Sequence, residues 1–95
     1  MIVLIVSFSF MTAPDNKIEE DYVPDKKTAI KIAEAIWLPI YGEDIYKMEP
    51  FKAKLIDENK TWLVRGSLPK NSLGGVPIIE IRKSDCKIIR VTHTK

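Results

Sequence analysis

Few side chains in this chain could do chemistry. A protein nucleophile needs a base beside it, and a bound metal needs several converging ligands. The 95-residue sequence holds one cysteine, Cys86, and one histidine, His93. A single cysteine excludes an internal disulfide and a cysteine-rich metal site, and one histidine leaves any zinc site dependent on carboxylates. Neither residue has a partner in a recognisable motif, so Cys86 reads as a turn residue and His93 as the end of a strand. Tyr41, Tyr46, Glu80 and His93 are the polar groups left to line a pocket, and no motif sets a base beside a nucleophile among them. No catalytic residue, metal ligand or cofactor is therefore expected. The reading is a non-enzymatic protein, with a small-ligand or enzymatic pocket between helix and sheet as the alternative.

What remains is charge and shape. Residues 1–50 hold five lysines against nine acids, a net of −4, whereas residues 51–95 hold ten Lys or Arg against four acids, a net of +6. Lys52, Lys54, Arg65, Arg82 and Arg90 fall on one side of period-two segments, with Ile56, Leu63, Ile78 and Ile88 between them. Basic strands can follow phosphates. A sheet that binds single-stranded nucleic acid displays aromatics for base stacking, and this one interleaves aliphatics, so no nucleic acid partner is expected. Cations mixed with aliphatic side chains fit a protein partner better.

The second candidate surface is the segment Gly66-Ser67-Leu68-Pro69-Lys70-Asn71-Ser72-Leu73-Gly74-Gly75-Val76-Pro77, which carries two of the six prolines and three of the four glycines. Pro fixes φ and removes a donor, while Gly permits positive φ, so the segment is a defined connection between two strands. Loops of this kind often carry binding residues. Leu68, Lys70, Asn71 and Leu73 are its candidate contacts, beside Lys52, Lys54, Arg65, Arg82 and Arg90 on the sheet.

These surfaces must be positioned by the rest of the chain. Met1 to Met11 (MIVLIVSFSFM) is an uncharged apolar run, shorter than the ~20 residues a bilayer crossing needs and of the length of a signal-peptide core. It lacks the leading Lys or Arg of an export signal, so an incomplete signal is expected. The acidic stretch from Pro14 to Asp25 reads as a linker. The division is residues 1–24 as apolar segment and linker, and residues 25–95 as one domain with no stable membrane insertion. Asp25 is a natural helix N-cap. Ala29, Ile32, Ala33, Ile36, Trp37 and Ile40 then step by three and four, which marks one buried helical face with Trp37 in the core. Pro39 should kink or end that helix near Ile36 to Leu38, Tyr41-Gly42 should close it, and Glu43 to Tyr46 should add one further turn.

From Phe51 the period becomes two. Strands are expected at Phe51–Ile56, Thr61–Gly66, Val76–Lys83 and Ile88–His93, with turns at Asp57–Lys60 and Ser84–Lys87. One face collects Phe51, Ala53, Leu55, Trp62, Val64, Ile79, Ile81, Ile89 and Val91, and the helix stripe needs that face to bury itself. The fold class is α+β, a helix kinked near Pro39 packed on a four-stranded antiparallel sheet. An exposed sheet edge leaves room for a weak homodimer.

The succession of Thr28-Ala29-Ile30-Lys31-Ile32-Ala33-Glu34-Ala35-Ile36-Trp37-Leu38-Pro39-Ile40-Tyr41-Gly42, Pro50-Phe51, Trp62-Leu63-Val64-Arg65-Gly66, Leu68-Pro69, Leu73-Gly74-Gly75-Val76-Pro77, Ile79-Glu80-Ile81 and Val91-Thr92-His93 resembles a family of bacterial immunity proteins. The resemblance covers about Val23 to Lys95 and implies a cystatin-like or nuclear-transport-factor-like fold. It also implies membership of a polymorphic toxin system, in which the protein binds and neutralises a cognate toxin. Export to the periplasm or cell envelope is implied for such proteins and agrees with the apolar run. The resemblance transfers no toxin-contacting residues. It departs at the last hairpin, where Asp85-Cys86-Lys87 stands in place of Asp-Gly-Lys and asks Cys86 to take a left-handed conformation or a different turn.

Overall fold

The computed structural model describes residues 20–70 and 72–95; the run Met1–Met11 and Asn71 lie outside the described residues. Asp25 opens helix α1, Lys26–Tyr41, by accepting from the Thr28 backbone N–H at 2.9 Å and the Thr28 hydroxyl at 2.7 Å. The cap satisfies one of the free first-turn amides. Helix α1 continues through Pro39 and closes where the Gly42 N–H donates to the Leu38 carbonyl. It therefore passes Ile36 to Leu38 without ending and closes at Tyr41–Gly42, the pair expected to close it. Pro39 lies in the last turn and on the exposed side, so the hydrogen bond it denies to Ala35 falls where water replaces it. A 3-10 helix, Gly42–Met48, supplies the further turn.

Four strands follow: β1 Lys52–Ile56, β2 Thr61–Arg65, β3 Pro77–Arg82 and β4 Ile88–His93. They pair antiparallel in the order β1-β2-β3-β4, a meander with each strand beside its sequence neighbour. The first turn holds Asp57, Glu58 and Asn59 at φ of 54°, 56° and 68°, and Lys60 closes it with N–H bonds to Ile56 and Asp57. Cys86 adopts the left-handed conformation its hairpin requires, at φ 65°, and its N–H donates to the Arg82 carbonyl at 2.9 Å.

Helix α1 lies across β1, β2 and β3. Ala29, Ala33 and Trp37 meet Val64, Ile79 and Ile81, all fully buried. Trp37 is in the core, as its helical spacing predicts, and packs edge-on to Phe51 with centroids 5.1 Å apart. Such a ring pair adds roughly 0.5–1.5 kcal/mol beyond area burial.

Three residues assigned to the buried side from periodicity are exposed. Ile40 is 55% exposed, whereas its neighbour Tyr41 packs against the core. On β4, Glu80 pairs with Arg90 and Ile81 with Ile88, which leaves Ile89 as the extra residue of a β-bulge. The bulge reverses the alternation: Ile88, expected on the outer face, packs against the core, and Ile89, expected inside, is 45% exposed. Val91 does sit opposite Ile79, yet it is 39% exposed because α1 does not reach the fourth strand.

The acidic stretch ends in residues that dock on the domain. Tyr22 and Val23 donate backbone N–H bonds to Ser84 and Lys83 at 3.1 and 3.0 Å, and Val23 is fully buried. The Trp62 indole N–H donates to the Val23 carbonyl at 2.7 Å, and Asp21 pairs with Lys83 at 3.3 Å. No helix among the described residues is long and apolar enough to cross a membrane.

Candidate functional site

The register resolves the outer sheet face into rows. Lys52, Arg65, Ile78 and Thr92 form one, and Lys54, Leu63, Glu80 and Arg90 the next. Leu63 and Ile78 are half-buried among the charged side chains. The five expected cations share this face, but they are not equivalent. Arg90 reaches across to Glu80, with Nη2 and Nε at 2.6 and 3.1 Å from Oε2. Arg82 grips both carboxylate oxygens of Asp85 at 2.9 and 3.1 Å. That grip, with the Lys87 backbone N–H, holds the Asp85 carboxyl below its ordinary range and raises Arg82. Lys52, Lys54 and Arg65 have no ion-pair partner among the described residues. Of these five cations, the unpaired ones are thus those on β1 and β2.

The loop between β2 and β3 borders those free cations. At its start the Gly66 N–H donates to the Pro77 carbonyl at 3.0 Å, the Ser67 N–H to Met48 at 2.6 Å and the Ser67 hydroxyl to Pro50 at 2.7 Å. At its end the residue after β4 clasps it. The Thr94 N–H donates to the Val76 carbonyl at 3.0 Å, and the Val76 N–H donates to Thr94 Oγ1 at 2.9 Å. Gly75 is required there, because a Cβ would fall inside the Thr94 carbonyl. Leu73 is 99% exposed and Leu68 43%, while Lys70 is exposed beside them.

Between loop and sheet lies a polar groove of about 380 Å³, lined by Lys52, Arg65, Ser67, Leu68, Gly74 and Thr94 among others. The expected helix-sheet pocket is a separate apolar groove of about 290 Å³ that includes Tyr41, Ile45, Met48 and His93. Two of the four polar groups expected to line it are elsewhere. The Tyr46 hydroxyl donates to Glu34 Oε2 at 2.7 Å, and Glu80 is on the opposite sheet face with Arg90. No cluster of three potential metal ligands occurs among the described residues.

Sequence reasoning did not anticipate Thr94 and Ser67. Neither has a motif; the signal for Thr94 was indirect, a Gly-Gly pair whose second member must be close to other backbone.

Among the described residues, an α-helix and a short 3-10 helix precede a four-stranded antiparallel meander, and α1 lies on one face of it, which defines an α+β domain. The family model described as NTF2 fold immunity protein matches residues 28–95, and the chain belongs to that family. No curated protein and no solved structure matches the chain significantly.

Proposed function

We propose that this protein is the immunity member of a bacterial toxin–immunity pair and neutralises its cognate toxin by direct, stoichiometric protein–protein contact. Family membership supports the immunity role. The observation that carries the contact reading is the loop from Ser67 to Gly75, clamped at both ends and projecting Leu73 almost wholly into solvent. A partner that covers Leu73 together with the exposed Leu68 gains apolar burial. The adjoining free cations speed association and set specificity against an acidic surface. Neutralisation then follows from occlusion of the toxin's active site or substrate path.

The apolar run at Met1–Met11 supports a working location in the periplasm or cell envelope. The mostly apolar groove by Tyr41 and His93 is the feature that a small-ligand reading would use; it lacks Tyr46 and Glu80, and its side-chain polar groups are those of Tyr41, Asp44 and His93. The β4 edge with exposed Ile89 and Val91 offers a route to weak self-pairing that leaves the loop free.

The test is co-expression with the toxin-type protein encoded beside it. The wild-type chain restores growth, and a Leu68→Ser/Leu73→Ser variant of unchanged fold loses most of the protection. Full protection by that variant, or none by the folded wild type, contradicts the reading.

A further inference from the structure

We infer that the groove between Lys52, Arg65 and the loop is a carboxylate-binding subsite that takes an acidic extended segment of the protein partner; this rests on the toxin-binding reading and names the chemistry of the contact.

Four other cations of the described residues 51–95 have carboxylates within 4.0 Å: Lys60 with Glu58, Arg82 with Asp85, Lys83 with Asp21 and Arg90 with Glu80. Lys52 and Arg65, like Lys54, Lys70, Lys87 and Lys95, have none among the described residues, and what sets these two apart is that they sit directly opposite one another in the β1–β2 register. Like charges at opposed positions of an antiparallel pair destabilise it. An anion placed between them removes that repulsion, so the free protein is arranged to favour one.

The groove also has the donors an anion needs. The Arg65 guanidinium is a planar fork matched to a carboxylate, and Lys52 adds a point charge. Thr94 Oγ1 accepts from the Val76 N–H, so its own proton remains free to donate.

Charge complementarity and the surroundings decide the occupant. The outer rows contain no aromatic side chain for base stacking, and Glu80 places a carboxylate in the middle of the face. Leu68 lines the groove, and Leu63 and Ile78 lie half-buried beside the cations, the mixture of apolar and charged contacts that a protein segment uses.

The experiment titrates the 15N-labelled full chain with hexaglutamate at low salt and follows amide shifts, with hexathymidylate as the competing probe. Shifts are expected at 52, 54, 65–68, 74 and 94, weakening as salt is added. Lys52→Gln/Arg65→Gln should lose at least tenfold in affinity, and Arg82→Gln should match the wild type. Shifts spread over Lys26, Lys27 and Lys87, absence of binding, survival in the double variant, or tighter binding of hexathymidylate at the groove would each overturn the inference. A parallel titration with the neighbouring toxin separates the two readings. Toxin binding unaffected by Lys52→Glu/Arg65→Glu overturns the subsite and leaves the immunity role standing. No toxin binding, with hexaglutamate still held in the groove, sinks the immunity role and leaves the subsite standing.

Discussion

Replacing Gly75 by alanine adds one methyl group at the point where the loop touches Thr94, and the Cβ would overlap the Thr94 carbonyl. Either the loop or the chain end must move. The chain end is the cheaper, since Thr94 is exposed and lies one residue beyond β4. Its displacement breaks the Thr94–Val76 backbone bond of 3.0 Å and the Val76–Thr94 Oγ1 bond of 2.9 Å. Two such bonds contribute about 1–3 kcal/mol net, and overpacking of this kind costs a similar ~1–3 kcal/mol if nothing moves. The expected loss is about 1–3 kcal/mol, which for a domain of this size lowers Tm by roughly 5–20 °C. Urea denaturation gives the free energy, and hydrogen exchange at the Thr94 amide reports the clasp. Thr94→Val removes only the Oγ1 acceptor and should cost about 1 kcal/mol. Once Gly75→Ala has displaced Thr94 that bond is already gone, so the double variant should cost little more than Gly75→Ala alone. Additive losses, or a Gly75→Ala protein with an unchanged Thr94 amide, would refute the clasp as what positions the loop.

Further outcomes follow from other particular contacts. Glu58 holds a left-handed conformation at φ 56°, so Glu58→Gly should gain about 0.5–1 kcal/mol in denaturant titration, the strain relief exceeding the added unfolded-state entropy. Trp62 donates to the buried Val23 carbonyl, whereas the Trp37 indole N–H meets no acceptor among the described residues. Trp62→Phe should therefore lose about 1–3 kcal/mol more through its hydrogen bond than Trp37→Phe does, and calorimetry of the pair shows it. The Asp25 carboxyl is held below its usual range by the Thr28 hydroxyl and backbone N–H, and Asp85 by Arg82. Both folded-state values are depressed, so their contribution is fully present above the ordinary carboxylate value and is lost as pH falls from there through the lowered folded-state value. Thermal melts should show an acid-side decline below about pH 4 that is shallower in Asp25→Ala.

Much of the fold was legible because local rules agreed with one another. Asp25 capped, the three-four stripe buried Ala29, Ala33 and Trp37, and the change to period two at Phe51 marked the sheet. Alternation failed on β4, where one bulge at Ile89 exchanged the faces of Ile88 and Ile89. Periodicity counts residues and cannot see an extra one. The helix outran its proline because a hydrogen bond lost in an exposed last turn costs less than one lost in the interior. The site was legible as a set of positive charges, but which of them are free was not. That depends on Glu80 standing opposite Arg90 and on Asp85 turning back to Arg82, both consequences of register and turn geometry. The docking of Val23 was hidden for the same reason, since its partner Trp62 is 39 residues away.

On the proposed reading, this chain binds a toxin through the loop and the unpaired cations beside it. Isothermal titration of the full chain with the toxin-type protein encoded next to it tests that most directly. The account predicts a one-to-one complex that weakens at least tenfold in Leu68→Ser/Leu73→Ser and in Lys52→Glu/Arg65→Glu, with Arg82→Gln unaffected. A folded chain that gives no heat with that protein, or a complex indifferent to both pairs of substitutions, would contradict it.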